Sequence, residues 1–317
     1  MELYIEKAFL DDFYISIDID ALTKTQEILV AIFKEYGAVK KYIDIEFLST
    51  EKLDMYKKEH ELMSYLWLHG APNSIKSVKE HFFKSEMLCK QTIIFTHQTQ
   101  DWFEDAENKG ALCFSMENYH NKINTILTEC HIKIDLSEGF KGWDLLSNFG
   151  KLPVSEVIIS DNYVLLNKER QKITDNLIPL LENILNRNAS SIKTNIFTLD
   201  LNPLKDNFDK NKEKAKKASV LLNSSLAHYK NKYTIWSSKQ SNKIKMHDRI
   251  LLSDFYIIDS GIGFNLMPSK NSNSQIIGET IFSKYTYDRL RNLKNKYIEY
   301  QEKLKRLETS EFKYYPS

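Results

Sequence analysis

Apolar positions along this 317-residue chain recur with two periods. Spacing of two buries one face of a strand, and spacing of three to four gives a helix its apolar stripe. "ELYIE" reads as a short strand. "TKTQEILVAIFKEY" places Ile28, Ile32 and Phe33 on one helical face, with Gly37 beyond them as a stop. "VKKYIDIEFLS" alternates as a strand, and "TEKLDMYKKEHELMSYLWLHG" follows as one helix capped by Thr50 and ended by Gly70. "QTIIFTH" and "GALCFSM" are β-rich runs around the helical "DWFEDAENK". Residues 1–138 therefore read as a mixed α/β domain.

Gly139, Gly142 and Gly150, followed by Pro153, punctuate "EGFKGWDLLSNFGKLP", and 139–153 reads as a linker. Beyond it, "SEVIISDNYVLL", "KTNIFTLDL" and "KYTIWSSK" are strands. They alternate with "ERQKITDNLIPLLENILNR" and "DKNKEKAKKASVLLNSSLAHYKN", which are helices. Pro179 inside the first of these predicts a kink or a late start. Two more strands follow in "KMHDRILLSDFYIIDSGIGFNLM", another in "SQIIGETIFS", and a long helix closes the chain. This alternation predicts an α/β fold for 154–317, with a mixed, largely parallel sheet between helices.

Composition narrows the class. With 42% hydrophobic and 12% aromatic residues the chain can bury a core for two domains. Lys and Arg number 44 against 43 Asp and Glu, so any preference for a charged partner must be local. Cys89, Cys113 and Cys130 form no C-x-x-C pair, which argues against a zinc ribbon or a disulfide framework and for buried thiols in a reducing compartment. The acidic start "MELYIEKAFLDDF" is unlike a signal peptide, and no run approaches the roughly 18 apolar residues of a membrane span. A cytoplasmic protein is expected.

The stretch 245–267 carries the candidate chemistry. His247 and Arg249 are two apart and share a strand face; Asp254 follows at a turn, and Gly261 and Gly263 lie where backbone can approach a ligand. An imidazole beside a guanidinium, with Lys245 nearby, suits a phosphate. The spacing His247-x-Arg249-x4-Asp254-x6-Gly261 resembles the His-x-Lys-x4-Asp-x6-Gly-Ser signature of the phospholipase D superfamily. Arg249 stands at the family's Lys, Ile262 at its Ser, and Phe264 at its Asn, with Asn265 one further on. The order of elements from 154 onward is similar to one half of that fold.

The resemblance implies a phosphodiesterase that acts on nucleic acid rather than on lipid. His247 would be the nucleophile forming a phosphohistidine, and Arg249 the phosphate ligand. Asp254 would assist, Gly261, Gly263 and Lys245 would hold the phosphate, and Glu279 in "IGET" would be a supporting acid. It implies no cofactor and no metal. A single motif implies a homodimer or a partner protein, and the pairing of modules is similar to that of bacterial defence or toxin effectors. The alternative is an adaptor that binds phosphate or nucleic acid without cutting it.

Between Lys205 and Arg249, twelve Lys and Arg stand against four Asp and Glu, a net of +8, as expected beside a nucleic-acid partner. Tyr233 and Trp236 are candidates for base stacking. In the closing helix Leu290, Leu293, Tyr297, Tyr300, Leu304 and Leu307 form a 3-4-3-4-3 seam, which docks on its own sheet or zips against another chain. At the other end, "LYIEKAFLDDFY", with Glu6 closing a strand, and "IIFTHQTQDWFEDAENKGALCF", with Asp101, resemble PIN-type nucleases. That resemblance would draw on Asp11, Asp12, Glu46, Asp101 and Glu117 for a metal-dependent site. His97 and His120 read as ordinary polar histidines.

Overall fold

The computed structural model describes residues 1–68, 70–85, 91–165, 173–199, 208–238, 249–266, 272–306 and 312–316. The chain is α/β and divides into two compact units, Met1–Thr128 with Ile281–Asp288, and Glu129–Thr280 with Arg289–Ser317. The division at 128/129 corrects the expected linker. Residues 139–153 instead hold two 3-10 turns, Trp143–Leu146 and Phe149–Lys151, with Trp143, Leu146 and Phe149 buried.

In the first unit, β1 (Glu2–Ile5), α1 (Lys7–Ser16), α2 (Lys24–Lys34), β2 (Lys40–Ile43), α3 (Thr50–Glu59) and α4 (Glu61–Leu68) come first. They are followed by β3 (Asn73–Ser74), α5 (Val78–Lys84), β4 (Thr92–Thr96), α6 (Phe103–Asn108), β5 (Ala111–Ser115) and α7 (Tyr119–Glu129). The sheet is parallel throughout in the order β3-β2-β1-β4-β5. Helices on both faces bury β1, β4 and β5 completely, which is why those strands read as continuous apolar runs. Tyr4, Ile94 and Cys113 face Phe82 and Trp102 on one side. Phe95 meets Phe9, Phe33 and Phe114 on the other, at ring-centroid distances of 5.1, 5.2 and 5.6 Å.

Two helix ends follow local chemistry. Thr23 and Gln26 cap α2 reciprocally as a capping box. The helix expected over 50–70 breaks in two at His60, whose backbone is extended (φ −114°, ψ 103°), and Ser49 rather than Thr50 caps it through the Lys52 amide.

The second unit contains β6 (Ile132–Asp135), β7 (Glu156–Ser160), α8 (Ile178–Ile184), β8 (Ile192–Leu199), α9 (Phe208–Ser225) and β9 (Asn231–Ser238). It continues with β10 (Ile250–Leu252), β11 (Tyr256–Ser260), β12 (Gln275–Thr280), α10 (Lys284–Arg306, in this unit from Arg289) and β13 (Phe312–Pro316). The sheet order is β13-β9-β8-β7-β10-β11-β12-β6. β7, β8 and β9 run parallel and every other pairing is antiparallel, so the sheet is mixed but not largely parallel. A π turn, Ile173–Leu177, runs into α8, which carries Pro179 in its first turn, the late start expected there.

One face of this sheet packs on α10: Tyr297 lies 4.8 Å from Phe197, and Arg289 clasps Asp259 with two bonds of 2.6 Å. The other face packs on the 3-10 turns and α8, with Phe149 4.6 Å from Tyr256 and the Tyr256 hydroxyl donating to Ile184 O. The closing seam therefore docks inside the chain, with Leu290 and Tyr297 fully buried, while Leu307 lies outside the described residues.

Candidate functional site

β10 runs antiparallel to β7, pairing Ile250 with Ser160 and Leu252 with Ile158. Arg249, one residue before β10, therefore sits at the carboxyl end of β7, the end at which open α/β sheets commonly hold ligands. Its Nη1 donates to Gly261 O at 2.6 Å, and the guanidinium is only partly covered. His247 and Lys245 lie outside the described residues.

Asp161 organises this end of the sheet. Fully buried just past β7, its carboxylate accepts the Tyr163 amide at 2.7 Å and the Phe264 amide at 2.6 Å, tying together the loops after β7 and after β11. Burial pushes its pKa up, while the two amides and the charge of nearby Arg249 pull it down. Gly263 (φ +93°) closes the arrangement, since a Cβ there would fall 2.5 Å from Asp161 Oδ2. A Cβ at Gly261 would collide with Ser274 Oγ. The space a Cβ would take at either glycine is filled by the protein's own side chains, Ser274 at Gly261 and Asp161 at Gly263.

Asp254 lies elsewhere. It follows β10 at the opposite end, separated from Arg249 by a strand whose three residues span about 10 Å. It is fully buried, and its carboxylate accepts Ser155 N (2.6 Å), Ser155 Oγ (3.0 Å) and Glu156 N (3.2 Å) and pairs with Lys294 Nζ (3.1 Å). That geometry makes Asp254 a fastener of β7 and α10 rather than a group facing a substrate. Glu279, half-buried on β12 opposite Ile257, also lies away from Arg249. Tyr233 and Trp236 do not stack bases from the surface: both are buried, and Trp236 Nε1 donates to Asn195 Oδ1 at 3.0 Å. The basic cluster is exposed where it is described, at Lys214, Lys216 and Lys217 on α9.

The first unit gathers a second set of charges at the carboxyl ends of its strands. Glu6 accepts the His97 amide at 2.7 Å, and Asp44, just past β2, accepts the Lys7 amide at 2.5 Å. Burial raises the pKa of both; Asp44, with the charge of Glu6 adding to burial, is pushed up to about 6. Asp11 is held by Lys7 Nζ (2.5 Å) and the Tyr56 hydroxyl, and Asp12 by His97 Nε2 (2.6 Å). Glu46 is exposed, Asp101 is 88% exposed beside Lys79, Glu117 accepts the Thr99 amide, and His120 meets Thr25 Oγ1 at 2.7 Å. Sequence reasoning missed Asp44 and Asp161; the signal available for each was an acid one residue past an apolar β run.

Among the described residues no group of three or more His, Cys, Asp or Glu side chains is placed to hold a metal ion, and no helix is long and apolar enough to cross a membrane. Cys113 and Cys130 are buried free thiols, the latter pushed up to about 12 by burial; Cys89 lies outside the described residues. The sequence matches no protein-family model and no curated protein.

Proposed function

We propose that the second unit engages the phosphodiester backbone of nucleic acid at the carboxyl ends of β7, β8 and β9, with Arg249 as the phosphate-binding group. The observation that carries this reading is the partly exposed Arg249 guanidinium, fixed on Gly261 O beside the Asp161 clamp. A fixed guanidinium loses little freedom when it takes a phosphate as a second partner. The exposed lysines of α9 add a sequence-independent attraction.

The order β7-α8-β8-α9-β9-β10-β11-β12-α10 supports the resemblance to one half of a phospholipase D fold. On that reading His247, two residues before Arg249, is the nucleophile and the unit is a phosphodiesterase acting as a homodimer; without that step it is a phosphate-binding adaptor. For the first unit, the all-parallel sheet with Glu6 and Asp44 at its carboxyl end supports a PIN-like reading.

Binding of labelled DNA and RNA, followed by fluorescence anisotropy across a salt series, tests the main reading. Arg249→Ala is expected to weaken binding several-fold and lower the salt slope by about one. Full affinity in that variant, or no binding by the native protein, overturns it. Cleavage that persists in EDTA and vanishes in His247→Ala marks the enzyme; binding without cleavage in either protein marks the adaptor.

A further inference from the structure

Tyr163, in the second unit, is an exposed aromatic side chain, with 49% of its surface open. A tyrosine ring presents a large flat face with a polar tip, which suits it to contact a ligand where it stands open to water. Tyr163 stands three residues past the carboxyl end of β7, and its amide bonds the same Asp161 carboxylate whose neighbour is Arg249. Phe264 N and the close approach of Gly263 hold that carboxylate from the other side, so the backbone at Tyr163 is linked through Asp161 to the loop after β11. An exposed π surface on the loop whose Asp161 carboxylate feels the charge of Arg249 offers a base a face to stack on at the same end of the sheet where the backbone is neutralised.

Resting on the Arg249 reading above, we infer that this end of the second unit selects single-stranded nucleic acid, with Tyr163 as the platform on which one base stacks. Bases in a duplex already stack on one another and offer no free face. Asp161 acts as a positioning residue, holding the backbone at Tyr163 through its amide rather than touching the ligand. Stacking on an aromatic ring does not read base identity, so the selection is for strandedness.

The test compares Tyr163→Ala, Tyr163→Phe and Arg249→Ala in the full chain. Probes are single-stranded DNA, single-stranded RNA and a DNA duplex, each of one mixed sequence, and the single strands also carry 2-aminopurine. Tyr163→Ala is expected to weaken single-strand binding about tenfold. It should leave duplex binding within about twofold and the salt slope unchanged, because no charge is removed. Quenching of 2-aminopurine on binding should be lost in Tyr163→Ala and kept in Tyr163→Phe. Circular dichroism checks that this surface substitution keeps the fold, and the DNA and RNA arms show which sugar is accepted.

Equal loss on single strand and duplex, or no loss on either, overturns the stacking role while a weakened Arg249→Ala leaves the phosphate reading standing. An Arg249→Ala protein that binds like the native one overturns the phosphate reading, and a native protein that binds none of the probes overturns both.

Discussion

Asp254 shows what a buried carboxylate requires. Taking a charge out of water costs several kcal/mol unless donors replace the lost solvation. Here two amides, a hydroxyl and an ammonium do so, joining the start of β7 to α10. Asp254→Ala takes the acceptor from the Ser155 and Glu156 amides and leaves Lys294 with Glu156, at 3.7 Å, as its carboxylate partner. The expected cost is about 3–5 kcal/mol in urea denaturation, with Asp254→Asn costing less because it keeps an acceptor. Native stability combined with lost activity would return Asp254 to a catalytic role.

Asp44 behaves in the opposite sense. Its folded pKa of about 6 exceeds the ordinary carboxylate value, so the folded state binds a proton that the unfolded chain gives up. The penalty is complete above pH 6 and is relieved as pH falls towards 4. Discounted for partial exposure, Asp44→Asn should stabilise the protein by roughly 1–2 kcal/mol at pH 8, an advantage that fades by pH 4.5. A pH-independent effect would show that Asp44 ionises normally in place.

At the scale of elements, most of the second unit was legible. β7, β8 and β9 are apolar runs between helices, and α10 shows its seam as a repeat. β6 was missed because an edge strand half open to water reads as polar, with Lys133 and Asp135 among its four residues. The break between α3 and α4 was missed because nothing in "KKEHELM" disfavours a helix; the His60 ring instead stacks on Tyr14 and takes the Met63 amide, contacts made by the fold. Charges on short strands were legible as unusual but not as to direction. Arg249 and Asp254 sit five residues apart in sequence and at opposite ends of β10 in space.

The clamp around Asp161 is a property of two loops rather than of one residue, and Gly263 tests it. A side chain there meets both an unfavourable positive φ and the Asp161 carboxylate. Gly263→Ala should cost about 2–3 kcal/mol and lower the urea midpoint, while Gly70→Ala, at φ +108° with open space around it, should cost less. Equal costs at the two positions would mean that the Asp161 contact is relaxed without penalty.

The molecule as a whole is built from two cores whose chain segments are interleaved. The first unit owns Ile281–Asp288, more than 150 residues beyond the rest of it. That return is structural: Tyr287 is fully buried, its ring stacks on Tyr36 at 4.3 Å, and its hydroxyl donates to Gly37 O at 2.7 Å. Tyr36 in turn donates to Ile281 O at 2.5 Å, and Phe282 lies 6.1 Å from Phe114. A chain with two cores is not expected to unfold in one step. Tyr287→Ala should remove about 3–5 kcal/mol from the first unit alone, and Tyr287→Phe, which keeps the ring and loses the hydrogen bond to Gly37, about 1 kcal/mol. Hydrogen exchange would read this as faster exchange at the amides of β1 and β4, near the amino terminus, for a substitution near the carboxyl terminus. The amides of β7 and β8 should keep their protection. Unchanged protection in β1 and β4 would mean that the returning segment is not part of the first core.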